Sequence, residues 1–129
     1  MVQREVADRF VAQSGDDAYG AVSVKIGYWA TARIVGDVPA TVFVPKPRVT
    51  SALVDIRRRE RPEIDGVNPQ ELFALVRSGF AQRRKMLRRA LAGIVEPSTF
   101  ERADINPESR AEDLDVPAWG RLCAAMEHQ

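Results

Sequence analysis

The apolar residues of this chain change their spacing once, close to Pro62, and that change limits the fold more than any other feature. Ahead of it, Thr31 to Val38 is rich in β-branched and small residues and predicts a buried strand. Ala52, Val54 and Ile56 then alternate with Ser51, Leu53, Asp55 and Arg57, the period-two pattern of a second strand with at least one buried face. Between the two, Pro39, Pro45 and Pro47 restrict the backbone and predict an irregular, extended segment. Beyond Pro62 the pattern is helical throughout. Asn68 is a good N-cap, Pro69 suits the first helical position, and Glu71 stands where a capping-box acid would. Phe73, Val76 and Phe80 form an apolar stripe that continues as Leu87, Leu91 and Ile94, with Gly93 placed to close the helix in a left-handed cap. Pro97 opens a short helix through Phe100. The last helix runs from about Pro117 and gathers Trp119, Leu122, Cys123 and Met126 on one face. The charged run from Arg57 to Pro62 is the expected boundary between residues 1–60 and a helical domain over residues 66–129.

Near the amino terminus, Val2, Val6 and Phe10 recur every four residues. Arg4/Asp8 and Glu5/Arg9 pair opposite charges at the same interval, which predicts a short surface helix ended by Ser14-Gly15-Asp16-Asp17. From Tyr19 to Ala30 the pattern supports two readings. Val22, Val24, Ile26 and Tyr28 alternate like a strand, whereas Val22, Ile26 and Trp29 fit a helical face.

Of the 129 residues, 45% are hydrophobic and 29% charged, the balance of a folded domain and not of a disordered tail. No apolar run approaches the roughly 20 residues that cross a bilayer, and the first residues lack the form of a signal peptide, so a cytoplasmic location is expected. A single cysteine and a single histidine exclude an intrachain disulfide and a Cys/His zinc site, and no metal is expected. Cys123, between Leu122 and Ala124, reads as a small buried hydrophobe. The chain also lacks a glycine-rich turn after a first strand, an acid for a ribose, a phosphate loop and a nucleophile–base pair.

Charge is informative through its distribution, because the formal net charge is only +1. Five of the seven residues from Arg83 to Arg89 are basic: Arg83, Arg84, Lys85, Arg88 and Arg89. From Glu96 onward acids dominate. On a helix anchored by Phe80, Leu87 and Leu91, such a cluster suits phosphate, since each cation that contacts one displaces condensed counterions. A solvated helix face is the competing reading. A second candidate is Phe43-Val44-Pro45-Lys46-Pro47-Arg48-Val49-Thr50-Ser51, in which two prolines stiffen the backbone around a lysine. Phe43 could offer a stacking surface to an unstacked base, with Lys46 and Arg48 near the phosphates. Here the competing reading is a structural loop whose phenylalanine caps the core.

Taken in order, these residues resemble the bacterial ribosomal RNA small-subunit adenine dimethyltransferases over essentially the whole chain. Met1 to Arg9 is similar to the segment that ends the family's fifth strand and enters the next helix. Tyr19-Gly20-Ala21-Val22-Ser23-Val24 is similar to its Tyr-Gly-x-Leu-Ser-Val element, and Phe43 to Ser51 to its Phe-x-Pro-x-Pro-x-Val-x-Ser loop. Phe80-Ala81-Gln82-Arg83-Arg84-Lys85 and Arg110-Ala111-Glu112-Asp113-Leu114 resemble two signatures of its helical domain.

The resemblance implies an α/β remnant of a Rossmann-like methyltransferase sheet followed by a small all-α domain, with Tyr19 to Ala30 mainly helical. It implies a reaction that moves methyl groups from S-adenosylmethionine to N6 of two adjacent adenines near the 3′ end of 16S rRNA in the small ribosomal subunit. Phe43 corresponds to the aromatic that helps hold the flipped adenine, and Arg83, Arg84 and Lys85 to part of the RNA-holding surface. The family's donor loop, ribose-binding acid and Asn-Leu-Pro-Tyr motif would all lie upstream of the position that Met1 occupies. The chain alone is therefore expected to be an amino-terminally truncated, inactive piece that does not bind S-adenosylmethionine. Two alternatives stand beside this reading. One is a freestanding RNA-binding or ribosome-assembly module; the other is a large-subunit rRNA dimethyltransferase of the antibiotic-resistance type, against which the Arg110 to Leu114 signature speaks.

Overall fold

Arg4 opens the first helix directly from a strand, and the rest of the amino-terminal half is built around that junction. In the computed structural model, which describes residues 1–39 and 50–127, strand β1 (Val2–Gln3) passes straight into helix α1 (Arg4–Val11). Both expected i,i+4 ion pairs form, Arg4 with Asp8 and Arg9 with Glu5. The ambiguous stretch resolves as helix α2 (Ala21–Trp29), followed without a break by strand β2 (Ala30–Val38). The alternation Val22, Val24, Ile26, Tyr28 is thus not a strand. Tyr19 and Ser23 tie the start of α2 to its surroundings, the Ser23 hydroxyl donating to the Arg9 carbonyl at 2.6 Å while accepting from the Gly20 N–H.

Strand β3 (Ser51–Arg58) lies between β1 and β2 and is antiparallel to both. Val38 pairs with Ser51 and Ala30 with Arg58, so the register spans both strands. It slips between Ile34 and Gly36, which leaves Val35 as the extra residue of a bulge. The expected buried strand is in fact half-buried. Thr31, Arg33, Val35 and Asp37 are exposed, because α1 and α2 pack on β2 from one side only. The charged run is likewise part of the sheet as far as Arg58, since Thr31 and Ala30 pair with Arg57 and Arg58.

Helix α3 (Pro69–Ala81) begins as its sequence specifies. The Asn68 side-chain oxygen accepts from the N–H groups of Gln70 and Glu71 at 2.8 and 3.3 Å, a cap worth about 1 kcal/mol. Helices α4 (Leu87–Ala90), α5 (Pro97–Arg102) and α6 (Val116–Met126) follow, with a 3₁₀ turn over Ala111–Asp113. Asp115 caps α6 by accepting from Ala118 N–H at 2.9 Å. Gly93 has φ +83°, in the left-handed region, and ends the turn that follows α4.

One apolar core joins these helices. It contains Leu72, Leu75, Val76, Leu87, Leu91, Phe100, Trp119, Leu122 and Cys123, and it also takes in Tyr19, Val24 and Tyr28 from before the charged run. Ile94, expected in the stripe, is 42% exposed. Burial pushes the Cys123 thiol up to about 11, so its proton stays on at neutral pH.

Candidate nucleic-acid interface

The basic segment Arg83 to Arg89 does not lie on one helix. Helix α3 stops at Ala81, the cap residue Gln82 leaves helical geometry at φ −125° and ψ 57°, and Met86 is extended before α4 begins at Leu87. The physical reason is competition for backbone donors. In a continuous helix the N–H groups of Leu87 and Arg88 would bond carbonyls one turn earlier. Here Leu87 N–H donates to the Ser109 carbonyl at 2.7 Å and Arg88 N–H to the Pro107 carbonyl at 3.0 Å.

The break sorts the five cations into two kinds. Arg83 is half-buried: its guanidinium donates to the Asp17 carbonyl at 2.9 Å, lies 3.5 Å from the Glu112 carboxylate and sits over the Phe80 ring at 5.5 Å. Its donors are turned toward the protein. Arg84, Lys85, Arg88 and Arg89 are exposed, and their side chains make no ion pair or hydrogen bond among the described residues. Leu87, Ala90 and Leu91 are buried beneath them and fix the segment from which they project.

The same backbone bonds bring in a residue that the sequence had placed in acidic surroundings. Because Ser109 is hydrogen-bonded to Leu87, exposed Arg110 stands next to the basic turn. Its own N–H is held by the Asp113 carboxylate at 2.9 Å, which fixes the backbone there. The only sequence signal for it was its position in the Arg110 to Leu114 motif. Phe43, Lys46 and Arg48 lie outside the described residues.

Beside this surface runs a groove of about 520 Å³, lined in part by Asp17, Gly20, Val22, Phe80 and Arg83. A second groove of about 340 Å³ is bordered by Tyr19, Ser23, Arg59, Glu63 and Asp115. The Arg59 guanidinium donates to the Gly27 carbonyl and pairs with Glu63, so that groove carries no free cation from Arg59. Among the described residues no group of three or more His, Cys, Asp or Glu side chains could hold a metal ion, and no helix is long and apolar enough to cross a membrane.

A family model described as ribosomal RNA adenine dimethylase matches residues 1–127. The chain belongs to that family. Among its relatives, ribosomal RNA small subunit methyltransferase A of Cutibacterium acnes is 45% identical over 98% of this chain and 45% of that protein. The enzyme of the same name from Kineococcus radiotolerans is 47% identical over 96% of this chain and 43% of that protein. The chain thus spans less than half the length of these curated relatives of the adenine dimethylase family. A dimethyladenosine transferase from Plasmodium falciparum superposes with a TM-score of 0.78 at 22% identity, covering 93% of this chain and 53% of that one. The 23S rRNA methyltransferase ErmE gives 0.65 at 20% identity, over 97% and 52%. Both likenesses speak to the fold alone. The three-stranded sheet with its helices is a part of the adenine dimethylase fold, as the resemblance implied.

Proposed function

We propose that this chain is the RNA-holding part of an rRNA adenine N6-dimethyltransferase that acts on two adjacent adenines near the 3′ end of 16S rRNA, in the cytoplasm. The observation that carries the reading is the set Arg84, Lys85, Arg88 and Arg89, four exposed cations whose side chains have no partner among the described residues, on a segment pinned to the core. Arg110 extends that set. Several unpaired cations held close together attract a polyphosphate chain through counterion release and carry little base information themselves. Base selection belongs to other parts: in this proposal Phe43 positions the target adenine, with Lys46 and Arg48 at the adjoining phosphates.

S-adenosylmethionine is the methyl donor in this proposal. Its methyl would pass to the adenine N6, which loses a proton for each methyl gained. The 129 residues contain neither the glycine-rich turn nor the ribose acid that a doubly wound fold uses for such a donor. Donor binding is therefore assigned to the remaining length of the family's proteins, and residues 1–60 and 66–129 to the sheet remnant and the helical RNA-contacting domain. The names of the relatives support the small subunit over the large one as substrate.

The test is a salt titration of binding between the purified chain and a fragment from the 3′ end of 16S rRNA. At about 0.7 counterion per phosphate contact, Arg84, Lys85, Arg88 and Arg89 alone give a log–log slope near −2.8, and every further contact steepens it. Binding with no salt dependence, or none at all, would defeat the reading.

A further inference from the structure

The exposed faces of α2 and α3 lie side by side and carry a pattern that the basic turn does not explain. On α2, Val22, Lys25 and Trp29 are three and four residues apart, hence on one face, and all three are exposed. On α3, Phe73, Arg77 and Phe80 share the side turned to α2, with Arg77 exposed and the two rings half-buried. Contacts fix the pairing of the helices. Tyr28 meets Phe73 edge-on at 5.4 Å and Tyr19 meets Phe80 at 5.9 Å, so the helices run antiparallel.

Three observations narrow what this face fits. First, neither helix adds an acid to it: α2 contains none, the one acid of α3, Glu71, lies on its opposite side, and neither Lys25 nor Arg77 has an ion-pair partner among the described residues. The Lys25 ammonium rests over the Phe73 ring at 5.6 Å instead. Second, Trp29 is 36% exposed yet braced, because Tyr28 packs against it edge-on at 4.7 Å and is itself held by Phe73. A large aromatic surface kept partly open in a fixed pose is a stacking platform. Third, the face runs into the basic turn: Val22, Phe80 and Arg83 line one groove, whose acids Glu5 and Asp8 are paired with Arg9 and Arg4, while a third, Asp17, accepts from Arg83 through its carbonyl.

We propose that the α2–α3 face is a second RNA-binding surface, which takes a single-stranded segment with Lys25 and Arg77 at its phosphates and one base stacked on Trp29. This rests on the RNA-holding reading of the chain and extends it from the basic turn along the helices. Single-stranded RNA fits better than a duplex because stacking on Trp29 requires an unstacked base.

The experiment uses the 129-residue chain, a single-stranded RNA oligonucleotide from the 3′ end of 16S rRNA, and intrinsic fluorescence. The chain has two tryptophans, and Trp119 is fully buried, so quenching by a stacked base reports on Trp29. Saturable quenching is expected in the native chain and is lost in Trp29→Phe. Trp29→Ala should weaken binding at least about fivefold with the salt slope unchanged. The double variant Lys25→Gln/Arg77→Gln should flatten the log–log slope by about 1.4, with unchanged circular dichroism as the folding control. If RNA binds but leaves emission, affinity and slope untouched in these variants, while Arg84→Gln/Lys85→Gln is impaired, the α2–α3 surface is refuted and the basic-turn reading survives. If the native chain binds no RNA, both fall.

Discussion

The Tyr19 hydroxyl donates to the Leu114 carbonyl at 2.6 Å, across 95 positions of sequence, and fastens the start of α2 to the turn before α6. Tyr19 is 2% exposed, so the bond is shielded from water. Tyr19→Phe should cost about 1–2 kcal/mol, because it leaves a buried carbonyl without its donor. Burial, and then the Asp115 carboxylate, raise the Tyr19 pKa far above its ordinary value. A raised pKa means that the native state keeps the proton that the unfolded chain releases near pH 10. The stabilisation is therefore complete below about pH 10 and lost as pH rises through the native value. Chemical unfolding of the native chain and Tyr19→Phe from neutral to alkaline pH checks this, and the gap between them should close at the alkaline end. A constant gap would count against it.

Arg83 and its neighbours should separate in experiment. Arg83 is tied to Asp17, Glu112 and Phe80, whereas Arg84 and Lys85 have no internal partners among the described residues. Arg83→Gln should lower the unfolding midpoint and leave the salt slope of RNA binding alone. Arg84→Gln/Lys85→Gln should flatten that slope by about 1.4 and leave stability within about 0.5 kcal/mol. A triple variant that flattens the slope by about 2.1 instead would place Arg83 on the RNA.

Gly79 sits where α3 crosses α6. A Cβ there would stand 2.7 Å from Cη2 of Trp119, which is fully buried and has no room to move. Alanine normally favours a helix interior over glycine by about 1 kcal/mol. Overpacking against Trp119 should outweigh that gain, and Gly79→Ala should destabilise by about 1–3 kcal/mol in thermal or denaturant unfolding. Neutral or improved stability would show that the crossing is looser than this.

Hydrogen exchange should divide the chain. Val35, Leu53 and Ile56 of the sheet are 53%, 44% and 47% exposed, while Leu72, Leu87, Leu91 and Leu122 of the helices are fully buried. The amides of β2 and β3 should exchange faster than those of α3 and α6, because local opening there exposes little additional apolar surface. Equal protection in the two halves would contradict this difference in burial.

How much of this was legible beforehand depends on the range of the interactions involved. The cap at Asn68, the ion pairs Arg4/Asp8 and Arg9/Glu5, and the inward face of α6 are set by residues within one or two turns. The sequence states such signals directly. The ordered motifs carried the family for the same reason, since each is a contiguous string. The spacing in α2 left helix and strand both open, and only the resemblance implied helix, because a nine-residue helix of mostly apolar residues shows both periods.

The sequence by itself therefore determined most of the element types, most of the helix starts, the family and the presence of a cationic cluster. Only the tertiary structure decided what the cluster is. No proline or glycine lies between Phe80 and Ala92 to announce a break. The helix does not continue into this segment because Ser109 and Pro107, some twenty residues downstream, offer carbonyls to the N–H groups of Leu87 and Arg88, and Arg83 turns inward because its guanidinium reaches the Asp17 carbonyl. Those partners come from distant segments whose position is set by core packing. Which cations turn inward to internal partners and which project outward could therefore be read only once the chain had folded.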